Sequence, residues 1–156
     1  SEVDAYISYN YLEKHWSVGT MARSAVTSRG IFLHPILFDP SGNPYEHEVG
    51  NTYADVGAAA IVPYAESGPI QLGDGDRVLS ATSLIPDITA LGDITTTFYT
   101  RLYPTDADAT HGPYTMAAPT SVRFTGRTCR MKATSSSSDA WNLGIPRLEM
   151  KPGGRR

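Results

Sequence analysis

Alternation of apolar and polar residues is the feature that most limits what this chain can fold into. In residues 92–103 the alternation predicts one shared face, formed by Ile94, Thr96, Phe98, Thr100 and Leu102. The opposite face carries Tyr99, Arg101 and Tyr103. Because successive side chains of a β-strand point to opposite faces, a period of two predicts a half-buried strand. No stretch of useful length has a helical period, so the sequence predicts an all-β protein.

The same alternation predicts further strands, each bounded by Gly, Pro, Asn or Asp. They are expected at residues 3–10, 14–18, 20–26, 31–38, 44–50, 76–85, 123–134 and about 143–151. Within 123–134, Cys129, Met131 and Ala133 fall on the apolar face, which makes Cys129 a core residue and not a nucleophile. Several strands with polar turns favour two packed antiparallel sheets, a jelly-roll-like β-sandwich.

A change of composition near residue 50 predicts two domains. Residues 1–50 contain short strands, with Trp16 beside a turn, and resemble one to one and a half blades of a propeller. Residues 51–62 are small and polar and are expected to be a linker. Residues 63–156 are expected to form the β-sandwich with a basic C-terminal tail. Since a lone blade cannot close a ring, residues 1–50 are expected to belong to a longer chain or a shared ring.

Composition narrows the class of protein further. Glycine and proline account for 14 and 11 of the 156 residues, which argues against a helical bundle. A single cysteine excludes an internal disulfide. No apolar run approaches the roughly 18 residues of a membrane-spanning helix. The chain starts at Ser1 without a basic-then-apolar leader, which predicts no signal peptide and favours a processed chain or a piece of a longer one.

Charge is distributed unevenly along the chain. Residues 1–122 contain five basic and fourteen acidic residues, for a formal net charge of −9. Residues 123–156 contain eight basic and two acidic residues, for +6. Two interpretations stay open: a subunit's basic end meets a neighbour's acidic body, or the two parts neutralise each other within one chain. Nucleic-acid binding is not favoured, because Phe124 and Trp141 are the only aromatic residues in the basic part.

Three local patterns fall short of the catalytic or metal sites that they superficially match. Glu46 and Glu48 flank His47, but a short strand places the carboxylates on one face and the imidazole on the other. The segment from Asp74 to Asp76 lacks the length and terminal Glu of a calcium loop. Asp106 and Asp108 lie in an acidic loop, where paired carboxylates are usually solvated, and a glycosidase is the weakest hypothesis. The sequence therefore predicts no catalytic residue, no cofactor and no metal site.

Tyrosine is abundant, with nine residues in the chain. Tyr99, Tyr103 and Tyr114 are candidates for a sugar-binding platform, since tyrosine offers an apolar ring and a polar tip. They are equally candidates for anchors at a protein interface or for ordinary half-buried strand residues. A carbohydrate-binding β-sandwich for host surface glycans is therefore the alternative function.

A series of short segments resembles a known class of proteins. PYAESGPIQLGDGDRV, LIPD, TRLYP, HGPY, PTSVRFTGRTCRMKA and DAWNLGIPRLEMKPGGRR follow in this order from about residue 63 to 156. Together they resemble the C-terminal region of β-rich tail and virion structural proteins of tailed double-stranded DNA bacteriophages. Upstream, ISYNYLEKHWSVGTMARSA and GNPYEHEVG resemble the propeller-like repeats that precede that region. The resemblance implies a virion structural protein that is not an enzyme.

The resemblance implies a place in the phage tail, first of all a nozzle or hub built as a symmetric ring of identical subunits. The implied partners are other tail proteins, and assembly is expected in the host cytoplasm. A subunit with separated charges suits head-to-tail contacts, in which one patch meets a different patch. The candidate subunit-interface residues are Arg127, Arg130, Arg147, Arg155 and Arg156. Arginine suits this role because its planar guanidinium pairs with carboxylates and is weakly hydrated.

Overall fold

All regular structure that the chain shows is β-structure. The structure, a computed structural model, describes residues 4–27, 30–53, 59–72, 77–90 and 93–154. These residues form seventeen strands and no helix, and every strand pair is antiparallel. The prediction of an all-β protein is therefore confirmed. The chain divides into two compact units, Ser1–Gly50 and Asn51–Arg156.

The first unit contains two small sheets. Its strands are β1 (Ala5–Asn10), β2 (His15–Thr20), β3 (Ala25–Thr27), β4 (Ile36–Phe38) and β5 (Pro44–Glu46). Strands β1 and β2 form one sheet, and the other has the order β3-β4-β5. Strand β2 runs through Gly19, where the sequence predicted a break, because Gly19 pairs with Tyr6 and the tyrosine ring lies over it. None of the described side chains of this unit is fully buried.

The turn between β1 and β2 is built by Asn10. Its side-chain Oδ1 accepts hydrogen bonds from the backbone N–H groups of Leu12 (3.0 Å) and Glu13 (3.1 Å). Its backbone oxygen accepts a further bond from the N–H of Lys14 (2.8 Å), which has a φ of 58°. An asparagine that binds its own backbone in this way is typical of tight turns. The turn fixes which residues of β1 and β2 face each other.

The second unit contains the longer strands. They are β6 (Thr52–Tyr53), β7 (Ala59–Ala60), β8 (Tyr64–Glu66), β9 (Ile70–Gln71), β10 (Leu79–Ile85), β11 (Ile88–Ala90), β12 (Ile94–Arg101), β13 (Ala109–Thr115), β14 (Thr120–Gly126), β15 (Thr128–Ser135), β16 (Trp141–Leu143) and β17 (Arg147–Pro152). A five-stranded sheet has the order β13-β12-β15-β8, with β9 also paired to β15. A three-stranded sheet has the order β14-β10-β17. Two short ladders join β6 to β7, within the expected linker, and β11 to β16.

The five-stranded and three-stranded sheets contribute to one hydrophobic core. Its buried side chains are Leu72, Ala81, Leu84, Ile94, Phe98, Met116, Val122, Phe124, Cys129 and Ala133. The predicted inner face of β12 is confirmed from Ile94 to Thr100, whereas Leu102 lies beyond the strand and is exposed. The predicted core position of Cys129 is confirmed as well. The jelly-roll and propeller arrangements stay predictions, since no sheet in the described part of the chain closes on itself.

Residues 123–134 form parts of two strands, where the sequence predicted one. Strand β14 ends at Gly126 in the three-stranded sheet, and β15 begins at Thr128 in the five-stranded sheet. Arg127 makes the crossing: its N–H donates to the oxygen of Arg101 (2.9 Å), and its oxygen accepts from the N–H of Leu72 (2.7 Å). The alternation of apolar and polar residues continues in both β14 and β15. The sequence pattern alone therefore does not reveal that the chain passes from one sheet to the other at Arg127.

The acidic loop predicted around residues 104–113 is shorter than expected. Residues from Ala109 onward form β13, which pairs with β12 and contains a register shift between the Thr96 and Phe98 positions of its partner. Gly112 lies at this irregularity with a φ of +112°, a conformation that favours glycine. The predicted last strand is also divided, because Gly144 and Ile145 donate their backbone N–H groups to Asp87 instead of to a strand.

No helix that is long and apolar enough to cross a membrane occurs in the described ranges.

Candidate functional site

A network of charged side chains crosses the outward face of the five-stranded sheet. Arg130 of β15 binds two carboxylates: its Nη2 lies 2.8 Å from Asp108 Oδ2, and its Nη1 contacts Glu66 Oε1. Arg101 of β12 binds the other oxygen of Asp108, and Lys132 Nζ lies 3.8 Å from Glu66 Oε2. We call these five side chains the charged network. It ties β8, β15 and β12 to the loop that precedes β13.

Aromatic rings lie beneath two cations of the charged network. The guanidinium carbon of Arg130 is 4.6 Å from the centre of the Tyr99 ring, and Lys132 Nζ is 4.2 Å from the centre of the Tyr64 ring. Tyr99 and Arg130 are directly opposite each other in the β12–β15 register. A cation over a ring face is attracted by the ring quadrupole, so these contacts hold the long side chains against the sheet.

The charged network favours the ionised form of Asp108. The hydrogen bond from Arg101 is the largest cause that lowers the pKa of Asp108, and the charges of Arg101 and Arg130 lower it further, while burial opposes them. The same hydrogen bond raises the pKa of Arg101. A general acid needs a raised pKa, so Asp108 is poorly suited to donate a proton near neutral pH. Asp106 accepts a hydrogen bond from the Tyr103 N–H (2.9 Å), within its own loop.

The arginines predicted at a subunit interface occupy different environments. Arg130 is held inside the charged network. The guanidinium of Arg127 lies 5.1 Å from the ring centre of Tyr103, beside a cleft of about 330 Å³ next to the residues that follow β17. Arg147 is exposed on β17, an edge strand. Arg155 and Arg156 lie outside the described residues.

Three of the four ion pairs of the charged network join the two oppositely charged parts of the sequence. Glu66 and Asp108 belong to the acidic part, and Arg130 and Lys132 belong to the basic part. For these side chains, charge neutralisation takes place within one chain, which was one of the two interpretations of the uneven charge. Glu66 and β8 had not been singled out in the sequence, because a strand of three residues gives too short an alternation to recognise.

The three tyrosines considered for a sugar platform have different partners. Tyr99 is half-buried beneath Arg130, and Tyr103 is half-exposed beside Arg127. Tyr114 packs against the hydrophobic core, with its ring centre 6.1 Å from that of Phe98. A sugar platform needs ring faces that are open to solvent, and Tyr99 and Tyr103 each have a guanidinium over one ring face. The sugar-binding role of these tyrosines stays a prediction.

Of the sequence patterns that resembled metal sites, the one around His47 lies within the described residues. His47 Nε2 accepts a hydrogen bond from Arg23 Nε (3.1 Å), and the Arg23 guanidinium lies 4.7 Å from the ring centre of Tyr45. Within the residues that the structure describes, no group of three or more His, Cys, Asp or Glu side chains is placed to hold a metal ion. The segment from Asp74 to Asp76 lies outside those residues.

A second candidate surface lies on the β1–β2 hairpin. The register places Ile7 opposite Val18 and Tyr9 opposite Trp16. Directly opposed residues share a face, so these four side chains form what we call the apolar hairpin face. The rings of Tyr9 and Trp16 are in contact, with 4.6 Å between their centres. The other face is polar, with a hydrogen bond between the hydroxyls of Ser8 and Ser17.

The apolar hairpin face is exposed, as are other large apolar side chains of the first unit. Among the described residues, twelve large hydrophobic side chains are exposed in Ser1–Gly50 and eight in the longer second unit. Large exposed apolar patches are commonly binding surfaces for proteins, membranes or ligands. The alternation in residues 3–10 was visible in the sequence, but the pairing that joins its apolar residues to Trp16 and Val18 depends on the turn.

Comparison with known proteins yields no family. A scan against models of protein families gives no match, and a search of curated protein sequences finds no significant relative. The apolar hairpin face and the charged network are therefore the structural observations that bear on function.

Proposed function

We propose that this chain is a structural protein of a bacteriophage virion, a component of the tail nozzle or hub that assembles as a symmetric ring. The observation that carries the proposal is the exposed apolar hairpin face in a unit whose described side chains include none that is fully buried. A two-stranded hairpin is at best marginally stable alone in water. A chain with such a unit is expected to work inside an assembly, where neighbours cover it.

The second unit supports the same proposal through its rigidity. Two antiparallel sheets share one core, and the charged network fixes the outward face of the larger sheet. We propose that these sheets form a jelly-roll-like β-sandwich and that the first unit is the propeller-like part of a shared ring. A virion component has to keep its shape without turnover, and the described contacts serve packing and strand pairing.

The placement in a phage tail rests on the resemblance of residues 63–156 to the C-terminal region of tail and virion proteins. Among the candidate interface arginines, Arg147 on the edge strand β17 is the best placed to meet a neighbour. Arg130 is the least suited, because its charge is already matched by Glu66 and Asp108 within the chain. Other tail proteins and further copies of the chain are the proposed partners.

Localisation on the particle tests the proposed function. An antibody against the chain, labelled with gold, is applied to purified phage particles from the source and imaged by electron microscopy. We expect the label to cluster on the tail. Absence of label from every particle, with an antibody that binds the free chain, would overturn the proposal. Label on the capsid alone would overturn the tail placement.

A further inference from the structure

We propose that the apolar hairpin face binds a second copy of this chain, through the exposed loop at residues 31–33 of that copy. The inference deepens the proposed function, on which it rests for the ring, by naming the partner and the contact. It is argued from two exposed apolar patches that belong to the same unit.

The first patch is the apolar hairpin face. The exposed fraction of its side chains ranges from 47% for Tyr9 to 71% for Ile7. Strands β1 and β2 pair only with each other among the described residues, so the hairpin is not part of a larger sheet. An amphipathic hairpin has its apolar side chains on one face because that face is covered in the working state. No described residue of the first unit covers it.

The second patch is the loop that precedes β4. It consists of Ile31, Phe32 and Leu33, whose exposed fractions range from 47% for Phe32 to 95% for Ile31. Three consecutive large apolar side chains on a loop are unusual for a solvent-facing segment. In the sequence this stretch reads as part of a strand, but only Ile36–Phe38 pairs, which leaves the loop to protrude.

The occupant that fits both patches is another copy of the chain. In a closed ring with head-to-tail contacts, each subunit contributes two different patches, and every patch is covered. A face-to-face pair of hairpins would cover the first patch and leave the loop exposed. Neither patch contains a charged side chain, so their contact desolvates no ion.

The available area fits a specific contact. With about 200 Å² for an aromatic and about 100 Å² for an aliphatic side chain, the exposed fractions give roughly 600 Å² of apolar surface on the two patches together. Interfaces are about 60% apolar, so this corresponds to roughly 1,000 Å² in total, near the lower limit for specific association. A ring repeats the contact at every subunit, which adds to the stability of the closed form.

Cross-linking between two variants that each carry one added cysteine, besides the buried Cys129, tests the contact directly. Val18→Cys and Ile31→Cys chains are mixed and treated with a short bismaleimide, and the linked peptides are identified by mass spectrometry. We expect a Val18→Cys chain linked to an Ile31→Cys chain, with little linkage in either variant alone. The unmodified chain is the background control, because its Cys129 is buried. Linkage only between two Val18→Cys chains, or none above background, would overturn the proposal.

Association of the full chain provides the second test. The Ile7→Thr/Val18→Thr variant removes apolar area without removing β-forming residues, and Ile145→Thr is the matched control at a side chain that is 80% exposed in the second unit. Sedimentation analysis is expected to give self-association at least about tenfold weaker for the hairpin variant, as for central interface residues, and unchanged for the control. Equal weakening of self-association in both variants would overturn the contact. A parent chain that is monomeric at about 100 μM would overturn it as well, because even weak specific complexes form at that concentration.

The two proposals fail separately. Tail label without cross-linking between residues 18 and 31 would leave the virion role and remove the contact. Cross-linking without label on any particle would leave the contact and remove the virion role. If the double hairpin variant does not fold, as judged by circular dichroism, the cross-linking result decides, because each single-cysteine substitution lies at an exposed position.

Discussion

Phe98 and Tyr99 are neighbours in β12, and truncating them is expected to have very different consequences for stability. Phe98 is 2% exposed, and its ring centre lies 4.9 Å from that of Phe124. Tyr99 is half-buried on the opposite face beneath Arg130. Comparing the two variants measures the effect of facing the core, because the two residues are adjacent in the same strand and similar in size.

The expected magnitudes follow from burial. Phe98→Ala leaves a cavity between the two sheets, and a buried Phe→Ala change costs about 3–5 kcal/mol in the free energy of unfolding. For a unit of this size, that lowers Tm by about 15 °C or more. Tyr99→Ala opens no cavity and removes a cation–ring contact of about 0.5–1 kcal/mol, so Tm falls by about 8 °C or less.

Thermal unfolding is followed by the fluorescence of Trp141, which packs against the core of the second unit. A Trp16→Phe background removes the signal of the first unit, since Trp16 and Trp141 are the two tryptophans of the chain. Circular dichroism verifies that each variant is folded at low temperature. A loss of Tm for Phe98→Ala that is no larger than for Tyr99→Ala would refute the assignment of a core shared by the two sheets.

Three further changes test individual contacts of the second unit. Burial lowers the pKa of His111, whose Nε2 lies 2.9 Å from Thr100 Oγ1. As the pH falls below about 6.5, the unfolded chain is protonated before the folded chain, so the free energy of unfolding decreases. Denaturant titrations at several pH values should show a weaker pH dependence of this free energy for His111→Gln than for the unchanged chain. An equal pH dependence would contradict the burial of the His111 imidazole. Burial raises the pKa of the Cys129 thiol to about 11. A disulfide reagent at pH 8 should therefore modify the folded chain at least about 100-fold more slowly than the unfolded chain, and comparable rates would exclude a buried thiol. Gly112→Ala places a Cβ 2.9 Å from the backbone oxygen of Thr96 at a φ of +112°, and should lower the free energy of unfolding by about 1–3 kcal/mol. Gly68→Ala is the control, because a Cβ at Gly68 has open space around it. Equal losses of stability in the two variants would contradict the steric clash at Gly112.

The central strands were predictable because they lie between a core and solvent. Strand β12 is half-buried along its whole length, so its alternation from Ile94 to Arg101 appears directly in the sequence. Strand β13 was missed, since an edge strand with a glycine–proline irregularity has the composition of a loop. Strand β8 is too short to carry a pattern of its own. Local patterning therefore identified the centre of the larger sheet and not its edges.

The candidate site was less predictable than the fold, because its contacts join distant parts of the chain. Arg130 was singled out from charge alone, but its partners Glu66 and Asp108 lie 64 and 22 residues away. Which carboxylate meets which cation depends on strand order and register, and these are set by the core. The apolar hairpin face depends in the same way on the Asn10 turn, which fixes Tyr9 opposite Trp16.

The position of β17 in the three-stranded sheet has a consequence for the order of folding. Strand β10 lies between β14 and β17, and β17 follows both of them in the sequence. While the polypeptide is being made, β10 therefore has one open edge until residues 147–152 have been synthesised. Open strand edges pair readily with other chains, so nascent molecules are expected to need protection from aggregation during that interval. Glu149→Pro weakens the pairing of β17 with β10, because proline has no backbone N–H. We expect this substitution to lower the soluble yield on expression.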